Sequence, residues 1–193
     1  MEDLHFRLRA LRRQHNLSLE QLAQRTGLTK SYLSKLERAL SAPSISTVLK
    51  LAQAYDLGVS QLIGSGDTAQ DEIISVVRRN EREPLARHGN EQGYRYEAMA
   101  GKRHVKAMDP FIVYPPRQGE SRPAAFPHSG EEFMLVLKGS VHMTIGEKSF
   151  MLEQGDSVYF DSELPHRLLT VGPIDAEVLM VATSASYRNA HPT

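Results

Sequence analysis

A chain of 193 residues, 40% hydrophobic and 24% charged, has room for one large domain or two small ones, and its composition is neither disordered nor fibrous. It contains no cysteine and no apolar run near the ~18 residues of a membrane span, which excludes disulfides, thiolate metal sites and a spanning helix. Charge balances overall, yet residues 1–64 hold nine Lys/Arg against five Asp/Glu and the remainder fourteen against eighteen, so a polyanionic partner is expected only at the first part. The acidic opening Met1-Glu2-Asp3-Leu4-His5 lacks the apolar core of a secretory leader; the expected location is the cytoplasm, without a membrane partner.

Taken in chain order, the first elements have a helical period. Leu4, Leu8, Leu11 and His15 recur at helix spacing. Ser18-Leu19-Glu20-Gln21 is a capping box, and Leu22 and Ala23 follow on the side to be buried. Gly27 ends that helix. Thr29 is an N-cap for the next, whose Leu33 and Leu36 face inward while Lys30, Ser31, Ser34 and Lys35 face out. Pro43-Ser44 opens a fourth helix with Val48, Leu49, Leu51 and Ala52 for its core. A short fifth helix around Ser60–Ile63 completes the unit. Gly64-Ser65-Gly66-Asp67 then breaks the pattern, which divides the chain into a helical domain (1–64), a linker (65–72) and a second domain (73–193).

Beyond the break the runs are short and strand-like: 73–77, 94–99, 111–114, 132–137, 141–145, 157–160, 167–171 and 177–182. Turns of Gly, Pro and Asp separate them, as in an all-β sandwich or barrel. Glu131 and Glu132 are adjacent on one such run, so only one of them can face its interior.

Two helices joined by a tight glycine turn form a helix-turn-helix layout, here Leu19 to Arg38. Ala23 allows close crossing, Gly27 permits a left-handed turn, and the second helix presents donors at spacings that reach base edges and phosphates. In this register the chain resembles the xenobiotic-response-element (XRE) family of DNA-binding regulators. The match rests on Leu8-x-x-Leu11-Arg12, Leu22-Ala23, Tyr32-Leu33-Ser34-Lys35-Leu36-Glu37-Arg38 and Pro43-Ser44-Ile45-x-Thr47-Val48-Leu49-Lys50-Leu51-Ala52. The resemblance implies double-stranded operator DNA as partner. It places Lys30, Ser31 and Lys35 at base-reading positions, with Thr29, Tyr32, Ser34 and Arg38 completing the DNA-facing set. Arg12 and Glu37 fall at the positions of an ion pair between helices. Two positions depart from the pattern: Leu19 replaces a phosphate-contacting Gln, and Ala39 replaces a Gly, which strains any left-handed cap kept there.

The second part contains Phe126-Pro127-His128-Ser129-Gly130-Glu131-Glu132, reaching Gly139, and then Gly155-Asp156, reaching His166. These segments resemble the two cupin motifs, so a cupin (double-stranded β-helix, or jelly-roll) barrel is expected behind the five-helix domain. The whole is an α + β chain of two domains, resembling XRE-type regulators with a cupin sensor. In metal-binding cupins four side chains converge. His128, Glu132 and His166 match three of those positions, and Phe126 stands at the fourth. Two His and one carboxylate suit a divalent Zn, Ni, Mn or Fe ion, and the same cavity without metal is an effector pocket. Tyr114, Arg117, Phe126, Met134 and Tyr159, with Glu131 as a further candidate, are expected to join the three motif residues around the effector. His142 can point either way, and His5, His15, His88, His104 and His191 read as surface residues. The resulting reading is a homodimeric regulator, a repressor in its simplest form, whose DNA affinity responds to a small metabolite. The competing reading is a cupin metalloenzyme, of dioxygenase or isomerase type, with an accessory DNA-binding domain.

Overall fold

The computed structural model describes residues 4–63, 74–85, 93–101, 103, 106–117, 119 and 127–183. Two compact units are present, one built from the helices and one from the strands. The expected linker, residues 65–72, lies outside the described residues.

The helical unit contains α1 (Leu4–Gln14), α2 (Leu19–Thr26), α3 (Lys30–Glu37) and α4 (Ile45–Ala54). The expected fifth helix amounts to a closing turn of five residues, α5 (Val59–Ile63). The starts of α2, α3 and α4 follow from local chemistry. The Ser18 hydroxyl accepts from the Gln21 amide while the Gln21 side chain accepts from the Ser18 amide, completing the expected box. Thr29 and Ser44 cap α3 and α4 by accepting from Tyr32 N and Thr47 N. The ends share one device. Gly27 takes the left-handed conformation after α2, and Asn16, Ala39 and Asp56 take it after α1, α3 and α4. At Ala39 both bonds of the motif are present, Leu40 N to Lys35 O and Ala39 N to Leu36 O. Leu8, Leu22, Leu33, Leu36, Val48, Leu51 and Leu62 close the core beneath.

The strand unit contains β1 (Glu83–Pro84), β2 (Arg95–Ala98), β3 (Met108–Tyr114), β4 (Glu131–Lys138), β5 (Ser140–Ile145), β6 (Lys148–Glu153), β7 (Ser157–Asp161), β8 (His166–Val171) and β9 (Glu177–Thr183). Among the described residues these strands form two sheets, ordered β1-β2-β3-β9-β4-β7 and β6-β5-β8. Among the described residues no strand ladder joins the sheets beyond the single bridge between Arg117 and Thr170, so the expected closed barrel is corrected to two facing sheets. Their inner faces share a core of Phe111, Val113, Met134, Val136, Val178 and Met180 with Val141, Met143 and Leu168. Polar ties reinforce the packing: Tyr94 hydroxyl donates to Leu168 O and accepts from Leu168 N, and Thr170 donates to Pro115 O.

Three strand expectations change. Residues 74–77 are not a strand; Ile74 is 76% exposed there, and residue 73 is outside the described set. Strand β6 went unread because it is exposed on both faces and so lacks the alternation that marks a half-buried strand. Strand β3 begins three residues before the expected 111 and includes Pro110. That proline is tolerated because it only accepts there, its carbonyl taking a bond from Met99 N at 3.1 Å beyond the last β2 pair at Phe111.

Candidate functional site

On the helical unit, α3 buries Leu33 and Leu36 and leaves Thr29, Lys30, Ser31, Lys35 and Arg38 exposed on the other side. Lys30 Nζ lies 3.4 Å from Glu20 Oε2 at the start of α2, a solvent-exposed pair of little energetic weight. Arg38 curls along the helix and donates to Ser34 O at 3.1 Å. Ser34 and Tyr32 are half-buried. The Tyr32 hydroxyl turns back to Thr47 at 3.4 Å, onto the buried Ser44-Ser46-Thr47 hydroxyl cluster at the start of α4. Its hydroxyl therefore braces α3 against α4.

The aim of α3 is held from behind. Arg12 on α1 grips Glu37 in a forked pair, Nε to Oε1 at 2.6 Å and Nη2 to Oε2 at 2.9 Å, and its Nη1 donates to Leu17 O. Glu37 is thus turned away from the exposed face, where a carboxylate would repel phosphates.

In the strand unit, alternation along β4 sends Glu131 outward and Glu132 inward. Glu131 accepts from the Tyr159 hydroxyl on the outer face, where Tyr159 is 64% exposed. Tyr159 is therefore not a pocket residue; its neighbour Phe160, opposite Glu132 in register, faces inward. Tyr114 is likewise outward: its hydroxyl donates to Glu97, and the Arg95 guanidinium lies 4.4 Å from its ring centre. Arg117 is engaged at a turn, bonded to the carbonyls of Gly172 and Pro173 and to Asp175 Oδ1. These three expected pocket residues are corrected to structural roles outside the interior. His142 lies between buried Val141 and Met143 and so points outward. Met134 faces inward as expected. Phe126 lies outside the described residues.

His128, Glu132 and His166 do converge. Each offers a ligand atom within 4.8 Å of the others. His128 Nε2 is 2.7 Å from Glu132 Oε1, and His166 Nε2 is 3.6 Å from Glu132 Oε2. Glu132 is 1% exposed, and its Oε2 is buried without a hydrogen-bond partner among the described residues. The far ring nitrogens fix the tautomers: His128 Nδ1 faces Ser129 O at 3.2 Å and His166 Nδ1 faces Leu164 O at 2.8 Å. A carbonyl only accepts, so each Nδ1 is placed to donate to its carbonyl and each Nε2 faces the Glu132 carboxylate. A proton or a metal ion can lie between those nitrogens and the carboxylate. The donor set, two imidazoles and one carboxylate with their ligand atoms within 4.8 Å of one another, suits a divalent ion. Phe160 packs against His166 with ring centres 4.9 Å apart.

Two further interior residues carry no mark in the motifs. Tyr96 on β2 and Tyr94 just before it stack at 5.9 Å between ring centres. Burial is the chief reason the Tyr94 hydroxyl is pushed up to about 12 and the Tyr96 hydroxyl well above the usual tyrosine value, and the charge of Glu132 adds to both. The signal available in the sequence was the spacing Tyr94-x-Tyr96, which puts both rings on one face of a strand.

Family comparison agrees with this geometry. A helix-turn-helix family model matches residues 8–62, and a cupin domain model matches residues 111–182. The HTH-type transcriptional regulator PuuR of Escherichia coli (strain K12) is 29% identical over 168 residues, 83% of each chain. The uncharacterized HTH-type transcriptional regulator YobD of Bacillus subtilis (strain 168) is 37% identical over 79 residues, 41% of this chain and 68% of that protein. The chain belongs to the HTH-type transcriptional regulators. This regulator also shares its fold with the crystal structure of an HTH_3 family transcriptional regulator from Vibrio cholerae, at TM-score 0.66 and 20% identity over 93% of this chain and 94% of the other. DNA binding is accordingly the function of the helical unit, and the strand unit is a cupin domain. No helix among the described residues of the regulator is long and apolar enough to cross a membrane.

Proposed function

We propose that this regulator couples operator binding by α3 to occupancy of the cupin interior by a small metabolite. The observation that carries the reading is the buried Glu132 carboxylate, bracketed by two imidazoles with one oxygen unsatisfied. A buried charge left in that state is costly, so the interior is organised around something that is to be bound. His128, Glu132 and His166 would hold a divalent ion (Zn, Ni, Mn or Fe), which would supply a Lewis-acid anchor for an oxygen-bearing ligand. Phe160 and Met134, together with Tyr94 and Tyr96, form the rest of the effector wall in this reading. On the helical unit, Lys30, Ser31 and Lys35 read bases, and Thr29 and Arg38 contact the backbone.

The regulator acts as a homodimer, because a helix-turn-helix head reads a two-fold operator with two copies. Its domains run 1–64 and 73–193 across a linker, and repression is the simpler mode, relieved when the effector favours one arrangement of the heads. Metal titration of the full chain, paired with operator gel shifts, tests the proposal. His128→Ala and His166→Ala should abolish metal uptake and the effector response while basal operator binding persists. Loss of operator binding through unfolding would make these residues structural core and sink the sensor reading.

A second reading, a cupin enzyme, is favoured by the same ligand set, since two His and one carboxylate leave coordination positions open to substrate. Turnover of a small acid or amine by the metal-loaded chain would support it. Against it stands the joined DNA-binding unit and the regulator relatives.

A further inference from the structure

We propose that Tyr96 selects the effector, and that its hydroxyl donates a hydrogen bond to a carboxylate oxygen of a ligand seated beside His128, Glu132 and His166. The inference rests on the reading of that group as a metal and effector site, and deepens it by naming a residue and a ligand class.

Placement comes first. In β2 the outward positions are Arg95, over the Tyr114 ring, and Glu97, bonded to the Tyr114 hydroxyl. Tyr94 and Tyr96 alternate with them and so face inward, Tyr96 opposite the buried Val113. The two phenols then have different fates. The Tyr94 hydroxyl is consumed by the backbone of Leu168, two residues beyond His166, through bonds of 2.6 and 3.0 Å. The Tyr96 hydroxyl has no hydrogen-bond partner among the described residues, although its stack on Tyr94 holds the ring in place. Burial together with the Glu132 charge keeps this phenol protonated, so it offers a donor and is not a phenolate ligand.

Charge selects the ligand class. Two neutral imidazoles and one carboxylate leave a divalent ion with one uncompensated positive charge in a desolvated interior. An anionic oxygen ligand neutralises it, whereas an ammonium adds a like charge. A fixed donor beside that oxygen gives a charge-assisted bond and penalises ligands lacking an acceptor, because the phenol then forgoes that bond.

The test uses the full chain loaded with Co(II), whose visible spectrum reports its ligands, titrated with propionate and with propylamine. Propionate should shift the wild-type spectrum and propylamine should not. Tyr96→Phe should take up Co(II) with unchanged affinity yet bind propionate about tenfold or more weakly. Equal propionate affinity in Tyr96→Phe, absence of a propionate response in the wild type, or a preference for the amine overturns the inference. So does loss of Co(II) uptake in Tyr96→Phe, which would make the phenol part of the metal site or its scaffold. Failure of the underlying reading looks different: wild-type chain that takes up no Co(II), or uptake that survives in the His128→Ala/His166→Ala double variant.

Discussion

At the scale of single residues, two positions show how the helical unit is held. Ala39 adopts φ +56° at the end of α3, a conformation that costs an L-residue roughly 1–2 kcal/mol. Glycine there relieves the strain but gains freedom in the unfolded chain, so Ala39→Gly should raise stability by about 0.5–1 kcal/mol. Urea unfolding followed by helical circular dichroism checks this, and an unchanged or lower midpoint would contradict the strain argument. The Arg12–Glu37 fork behaves in the opposite sense. Removing one partner strands the other in a site nearly closed to water, so Arg12→Ala should cost roughly 3 kcal/mol. Its effect should therefore appear in the unfolding midpoint, and operator affinity measured well below that midpoint should fall far less than in a Lys35 variant. The pair was legible in the sequence because the XRE register singles out both positions. The strain at Ala39 was legible for the same reason, as a missing glycine.

At the scale of elements, α3 was readable from its cap, its turn glycine and its exposed donors, since each is a local signal. Lys35→Ala should weaken specific operator binding by roughly 1–3 kcal/mol with folding intact, and a Lys30→Ala/Lys35→Ala double variant more so. Fluorescence anisotropy on the operator measures it, and unchanged affinity in the double variant would remove α3 from the reading role. The strand unit was less legible. Its ligand triad follows from motif spacing, but the wall around the triad depends on which face each strand turns inward, and register is set by partners distant in sequence. Tyr159 was expected inside and Phe160 ignored because a hydroxyl suggests chemistry; the pairing of Glu132 with Phe160 decides otherwise. Tyr114 was turned outward by register in the same way, whereas Arg117 is held at a turn by Gly172, Pro173 and Asp175, distant in sequence. Gly130 illustrates how tightly this register is held. At φ +105°, an added Cβ would overlap the Thr183 carbonyl where β4 meets β9. Gly130→Ala should therefore unfold or strongly destabilise the strand unit while helical content in residues 4–63 persists, a separation visible by hydrogen exchange. Wild-type protection of β4 in that variant would refute the overlap.

For the whole molecule, the division into two units predicts separable behaviour. The helical unit has its own core, so a fragment of residues 1–64 should fold, yet bind the operator about a hundredfold or more weakly than the full chain, because linked heads lose their effective concentration when divided. Matched titrations of fragment and full chain decide it, and equal affinity would mean that the cupin unit does not bring two heads together. The order of strands has a consequence for synthesis. Strand β9 lies between β3 and β4, so β1-β2-β3 and β4-β7 remain separate half-sheets until Glu177–Thr183 has left the ribosome. The helical unit, by contrast, draws its caps and core from a local stretch that emerges first and closes quickly. A translating chain thus carries a finished DNA reader for the whole time its cupin unit is unmade. A premature stop before Glu177 would release a DNA-binding unit without a finished cupin unit, a competitor of the full-length regulator for its sites.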